Sequence, residues 1–348
     1  MMPPSSGTLP ASSSLALRAA PAEEGDLIGF EKYCIAAVIP CFRVEREIQS
    51  VLQAVPEYIK HIIVVDDASP DSTADLVTAF AKQDDRILLI RHPSNQGVGG
   101  AMVTGYRRAL ELEAQIVVKI DGDGQMDMEH LPKLLQPLIG GRADYTKGNR
   151  FRDFKSLQQM PFLRRVGNMG LAFLAKAATG YVHLFDPTNG FNAIRSEVLA
   201  ELPLEKVDRT YYFETSMLAN LYLVGAVVKD VPMPARYQGE ASSLLIHRIL
   251  FEFPSKLFST FLRRLVLKNF IYDFSMGSIY LLAGLPLLLF GLAFGIYKWI
   301  QYASIGIPAP TGTVMLATLS VLLGIQLLLS AIEIDLRSVP TEPLSTSL

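Results

Sequence analysis

Asp121, Asp123 and Asp127 crowd into "VVKIDGDGQMD" (117–127), where an apolar run stops abruptly. Side chains two positions apart in an extended segment point the same way, so Asp121 and Asp123 present paired carboxylates on one face. Gly122 and Gly124 let the backbone turn tightly there. Hard oxygen donors in this number suit Mg²⁺ or Mn²⁺, ions that keep waters and bridge to phosphates. Gln125 can add a neutral oxygen. The competing reading is a solvated strand-end turn, in which Asp-Gly pairs are common.

Asp66 and Asp67 close a second apolar run. A carboxylate there can accept hydrogen bonds from the ribose or base of a nucleoside, or it can cap the following helix. "GVGGA" (97–101) opens a helix, so backbone N–H groups from Gly97 onward can face a phosphate. The glycine pattern is incomplete, because Met102 takes its last place. The first strand ends in "IPCFRVE", without the glycines a dinucleotide fold needs at that turn, which argues against a dehydrogenase. A P-loop lysine motif is also absent from the sequence.

These residues need elements to position them. "CIAAVI" (34–39), "IIVV" (62–65), "ILLI" (87–90) and "IVVKI" (116–120) read as buried strands. Residues 44–59, 72–83 and 98–114 between them have helical periodicity, and Ser72 with Asp75 resembles a capping box. Such alternation implies an α/β, mainly parallel sheet with right-handed crossovers. Ligands bind such sheets beyond the carboxyl ends of the strands. The segments there are 40–45, 66–72, 91–101 and 121–127, and acids, glycines and polar residues gather in all four.

Composition narrows the class further. With 348 residues and a net charge of −2, the chain has room for a large core and no basic patch for nucleic acid. Cys34 and Cys41 lie at one strand and read as small buried hydrophobes. The five histidines lack zinc spacing. Residues 1–29 are rich in Ser, Pro and Ala, and are expected to form a disordered tail.

The C-terminal third contains two uncharged spans, 274–297 and 313–332, each long enough to cross a bilayer as a helix. The alternative is a buried hairpin of a soluble protein. Arg248, Lys256, Arg263, Arg264, Lys268 and Arg337 flank the spans on one side, and Lys298 alone lies in the loop between. By the positive-inside rule, both termini and the large domain face the cytoplasm. Before the first span, Leu257, Phe258, Phe261, Leu262, Leu265 and Val266 form an apolar stripe. Lys256 and Arg263 lie opposite it, with Arg264 and Lys268 at its flanks, a pattern suited to an anionic bilayer surface. A core helix of the soluble domain is the alternative. The expected divisions are an α/β domain at 30–243, juxtamembrane helices at 244–273, a membrane hairpin at 274–336 and a tail at 337–348.

"VIPCFRVEREI", "IIVVDDASPDST", "NQGVGGAMVTGY", "DGDGQMD", "GNRF" and "DPTNGFNAI" follow one another over roughly residues 34–240. This ordered set resembles family 2 glycosyltransferases of the GT-A fold, and most of all the dolichol-phosphate mannose synthase branch with its bacterial polyprenyl-phosphate relatives. The resemblance implies inverting transfer of a sugar from a nucleotide diphosphate to the phosphate of a membrane isoprenoid, undecaprenyl phosphate in a bacterium. It implies that Pro40, Glu45, Asp66, Asp67, Gly97 and Asp121 bind the nucleotide sugar. Glu45 stands one position later than the acid of the usual PxYNE form. Asp121, Asp123 and Gln125 would hold Mg²⁺ or Mn²⁺. Arg150, Arg164, Arg165 and Arg236 would bind the acceptor phosphate, arginine's planar fork being suited to it. "GEASSL" carries a serine where relatives have the lysine of GESKL. Asp186 or Glu214 would act as base, although a phosphate acceptor is already anionic. The rival readings are a membrane enzyme that extends a glycan and an inactive nucleotide-sugar-binding scaffold. The first usually carries QxxRW, and the one tryptophan here is Trp299, at the end of a membrane span. Homo-oligomerisation is left open.

Overall fold

The computed structural model describes residues 29–150, 162–234 and 246–344. Its strands are β1 (Ile35–Cys41), β2 (His61–Asp66), β3 (Ile87–Arg91), β4 (Ile116–Lys119), β5 (Tyr145–Asn149), β6 (Asn192–Arg195) and β7 (Val228–Pro232). They form one sheet in the order β3-β2-β1-β4-β6-β5-β7. All strands run parallel except β6, which is antiparallel to both β4 and β5. The reversal matters for the site. A strand running the other way starts where its neighbours end, so the segment before Asn192 arrives at the same edge as the turns after β4 and β5.

Helices cover both faces. On β1, Ile35, Ala37 and Ile39 belong to one core and Ala36 and Val38 to the other, the two-residue alternation of a strand buried on both sides. Helices α1 (Ile48–Ala54), α2 (Thr73–Ala81) and α4 (Leu131–Ile139) pack on the first face. Helices α3 (Val98–Glu111), α6 (Ser196–Glu201) and α7 (Phe213–Val224) pack on the second. Helix α1 is shorter than its periodicity suggests, because the chain turns extended at Val55, just before Pro56. Ser72 does not cap α2 with its side chain. Asp71 accepts from Thr73 N at 3.3 Å and Glu45 from Ser72 N at 3.1 Å, so two carboxylates take the role expected of the serine.

Helices α9 (Met276–Ser304) and α10 (Thr311–Arg337) are long and apolar enough to cross a membrane. Only 11% and 17% of their most apolar stretches are buried, which argues against the core hairpin of a soluble protein. Their close approach depends on small residues. A β-carbon at Gly324 would stand 2.7 Å from Leu288 N, and one at Gly291 would stand 2.8 Å from Val321 N.

The juxtamembrane segment corrects the sequence reading. Helix α8 (Ile246–Leu267) packs against α5 (Phe162–Thr179), and Leu257 is buried in that contact. Leu257, Phe261, Arg264 and Lys268 recur at helical spacing, so the two basic residues share the inward face rather than flanking an outer one. Phe258, Leu262 and Val266 remain exposed. Arg264 is buried, donates to both Asp335 oxygens at 2.8 Å, and lies over the Tyr222 ring. Lys268 bonds Tyr222 Oη at 2.6 Å and Asp335 at 3.2 Å. The last turn of α10 is thereby tied to α7 and α8, and Leu344 beyond it donates to Asp144 at 2.9 Å. Removing one partner from a buried pair strands the other charge. Asp335→Asn is therefore expected to cost about 3 kcal/mol, read as a lower Tm in detergent, while Asp335→Leu with both Arg264→Met and Lys268→Met recovers much of the loss.

Candidate active site

β4 delivers an unexpected residue. Lys119 is the last position of the strand, and its ammonium is buried against Asp121 Oδ1 at 2.6 Å and Glu214 Oε1 at 3.2 Å. Burial pulls its pKa down, but the charges and hydrogen bonds of Asp121 and Glu214 outweigh this and hold it above the usual lysine value. Asp121 is thus fixed from below by a permanent cation. Asp123 accepts from Gln125 N at 3.1 Å and so braces its own turn. Gly122 packs against Pro40 and Cys41, setting this turn beside the loop that follows β1.

The reversed strand supplies the opposite wall. The segment 186–191 carries Asp186, Asn189 and Gly190 to the edge where β4 and β5 end. Asp186 is fully buried and accepts from Arg150 Nε at 2.8 Å, Arg150 Nη2 at 3.4 Å and Thr188 Oγ1 at 3.3 Å. Arg150, whose side chain is 40% exposed, lines a pocket together with Asp121, Asp123, Gln125, His130 and Asn189. Gly190 closes the gap between the two walls. A β-carbon there would collide with Asp121 Oδ2 and stand 2.7 Å from Lys119 Nζ. Gly190→Ala is expected to lower kcat/KM by about tenfold with little change in Tm, measured as turnover beside a thermal melt.

The β2 side is built differently. Asp67 accepts from His92 Nδ1 at 2.7 Å, Gln96 N at 2.8 Å and Gly97 N at 2.8 Å. His92 Nε2 in turn meets Thr104 Oγ1 at 2.9 Å. Asp67 therefore pins the 92–97 loop rather than capping the helix after its own strand. Asp66 accepts from Ser69 N at 3.2 Å and pairs with Arg91 at 3.3 Å. The first amides of α3 do not point to an open phosphate site. Gly99 N donates to the Arg209 carbonyl at 2.9 Å and Gly97 N to Asp67, so that expectation is corrected. Arg43 N to Ser69 Oγ at 3.1 Å and the Glu45–Ser72 bond join the β1 and β2 loops.

The edge of the sheet thus brings together Pro40, Asp121, Asp123, Gln125, Arg150, Asp186 and Glu214, with Asp66, Asp67 and Gly97 along the β2 side. Arg164 and Arg165 lie on α5, their side chains outside the described residues, as is Arg236 altogether. Sequence reasoning missed Lys119, Lys147 and Asn189. A lysine inside "IVVKI" and another in "YTKGN" were the available signals, since a charge in a buried strand needs a partner.

Residues 36–202 match the model of Glycosyl transferase family 2. A UDP-N-acetylglucosamine–dolichyl-phosphate N-acetylglucosaminyltransferase of Methanococcus voltae is 32% identical over 181 residues, 48% of this chain and 72% of that relative. The chain is a family 2 glycosyltransferase. An undecaprenyl-phosphate mannosyltransferase of Micrococcus luteus is 30% identical to this glycosyltransferase over 181 residues, 52% of this chain and 72% of that one. Glucosyl-3-phosphoglycerate synthase of Mycobacterium tuberculosis, solved with Mn²⁺, UDP-glucose and phosphoglyceric acid, superposes with a TM-score of 0.50 at 21% identity. The match covers 69% of this chain and 81% of that one, and shows that the glycosyltransferase has the GT-A fold.

Proposed function

We propose that this glycosyltransferase transfers a sugar, with inversion, from a nucleotide diphosphate sugar to the phosphate of a membrane polyprenol, giving a polyprenyl-phosphate monosaccharide. One observation carries the reading. Arg150 is held by buried Asp186 in the pocket of Asp121 and Asp123, within a domain bonded to a membrane hairpin. An anion-binding guanidinium beside a cation-binding acid pair suits a reaction between two phosphate-bearing substrates. The dolichyl-phosphate and undecaprenyl-phosphate transferases among its relatives support the acceptor class.

Asp121, Asp123 and Gln125 offer two carboxylates and an amide oxygen, a donor set that fits Mg²⁺ or Mn²⁺ with water and a diphosphate completing the shell. Among the described residues no group of three His, Cys, Asp or Glu side chains is placed to hold a metal ion by itself. When bound, such an ion neutralises the charge that develops on the departing nucleotide. Lys119 holds Asp121 at the pocket through a 2.6 Å ion pair. Pro40, Asp66, Asp67 and Gly97 frame the nucleoside side, and Glu45 braces that frame through Ser72. Arg150 receives the acceptor phosphate, with Arg164, Arg165 and Arg236 as further candidates. Asp186 is assigned to orient Arg150 and not to take a proton, because its oxygens are buried and engaged. Glu214 is assigned to the Lys119 pair. The basic residues around the hairpin orient the catalytic domain and both termini toward the cytoplasm.

The test is incorporation of full-length protein into bilayers with undecaprenyl phosphate, Mg²⁺ and a panel of nucleotide sugars. Mass spectrometry should find the lipid phosphate heavier by one sugar, and not with Asp123→Ala. Sugar transfer to a glycan primer in the absence of any modified lipid phosphate would overturn the proposal.

A further inference from the structure

Lys119, Asn192, Lys147 and Asp230 stand side by side across β4, β6, β5 and β7. Directly opposed residues on neighbouring strands share a face, so these four make one polar row beneath the pocket. Lys119 is explained by its two carboxylate partners. Lys147 is not. It is fully buried, makes no ion pair among the described residues, and donates to the main-chain carbonyl of Asn189. A buried ammonium held by a carbonyl alone is costly.

What Lys147 holds is the segment that joins the two walls of the site. Asn189 Nδ2 donates to Asp186 Oδ2 at 3.4 Å, and Asn189 Oδ1 accepts from Phe191 N at 2.9 Å. Asp186 grips Arg150 on one side of this segment, and Gly190 abuts Asp121 on the other. We infer that protonated Lys147 is a positioning residue that pins Asn189 and thereby fixes Arg150 relative to Asp121. Its ammonium is used inside the protein and reaches the acceptor only through this segment.

The charged groups facing Lys147 are Glu214 from α7, Asp186 from the pinned segment, Asp230 from β7 and Lys119 from β4. Burial pulls Lys147 down to about 8, against the three carboxylates and with some help from Lys119. The charge-assisted form of this bond is the protonated one, so it predominates at neutral pH and the pin weakens as pH rises through about 8. The acceptor's identity rests on the function proposed above, whereas the pinning of Arg150 does not.

Lys147→Met keeps the side chain's length and removes the charge. With undecaprenyl phosphate in vesicles, it is expected to raise the lipid KM about tenfold and leave the donor KM within about twofold. The wild-type fall in kcat/KM for the lipid in alkali should be absent from the variant. A second readout needs no acceptor: phenylglyoxal labelling of Arg150 by mass spectrometry, divided by labelling of exposed Arg46 to cancel the reagent's own pH dependence. That ratio should rise about fivefold in the variant, and in the wild type between about pH 7 and about pH 9. A wild-type ratio flat across that range overturns the inference even if the variant fails to fold, as does an unchanged lipid KM in a folded variant. If wild type makes no lipid product, the acceptor assignment fails and the labelling ratio alone decides the role of Lys147.

Discussion

Asp121→Asn is expected to lower kcat/KM for sugar transfer about a thousandfold, with Mn²⁺ affinity falling in parallel when measured by electron paramagnetic resonance. The size of the effect comes from what stands behind the carboxylate. Lys119 lies 2.6 Å from Asp121 and, among the described residues, is otherwise balanced only by Glu214 at 3.2 Å. The amide removes one ligand charge and leaves a buried ammonium partly uncompensated beneath the proposed cation site. Two electrostatic losses then add in a region of low dielectric. Asp123 accepts from the Gln125 backbone amide of its own turn, so Asp123→Asn removes a ligand charge while the turn keeps a side-chain oxygen to accept that bond. The double variant Lys119→Met with Asp121→Asn separates the contributions. If repulsion by Lys119 matters, it binds Mn²⁺ more tightly than Asp121→Asn alone. Equal affinities would show that the lysine serves the fold and not the site.

Much of this arrangement was legible in the chain before any coordinates. Short apolar runs alternating with helical periodicity gave β1 to β4 and their crossovers, because buried parallel strands must be almost wholly apolar. The same logic put the chemistry at their carboxyl ends. β6 was not legible, since "NAIR" is four residues with nothing to mark its direction, and its direction brings Asp186 and Asn189 to the edge. Side-chain partnership was also hidden. Nothing in helical spacing distinguishes an arginine that meets lipid headgroups from Arg264, which meets Asp335 71 positions later. Asp67 shows the same limit at the site. Its type and place at a strand end were read as a nucleoside contact or a helix cap, but its hydrogen bonds run to a loop 25 to 30 positions away. Local pattern fixes an element's face, whereas long-range ion pairs depend on which faces the topology brings together.

Arg150→Lys is expected to lower kcat/KM for the lipid phosphate about a hundredfold while the donor KM stays within about twofold. Charge is conserved, so the loss would belong to geometry. Arg150 directs Nε and Nη2 toward the buried Asp186 carboxylate while 40% of its side chain remains exposed at the pocket. A planar fork can satisfy a carboxylate with one edge and a phosphate with the other. An ammonium is a compact point charge on a flexible stem and must share its three donors between them. Buried Asp186 has first claim, because an unpaired carboxylate there costs more than an unpaired phosphate at a wet pocket. The lysine would fold down onto Asp186 and leave the acceptor poorly held. Arg150→Ala should differ in kind, losing Tm as well as acceptor affinity because Asp186 is then stranded. A lipid KM unchanged in Arg150→Lys would remove Arg150 from the acceptor site and move the phosphate contact to Arg164, Arg165 or Arg236. The order of Tm values would still test the Asp186 pair, since only the alanine variant lacks a cation to meet it.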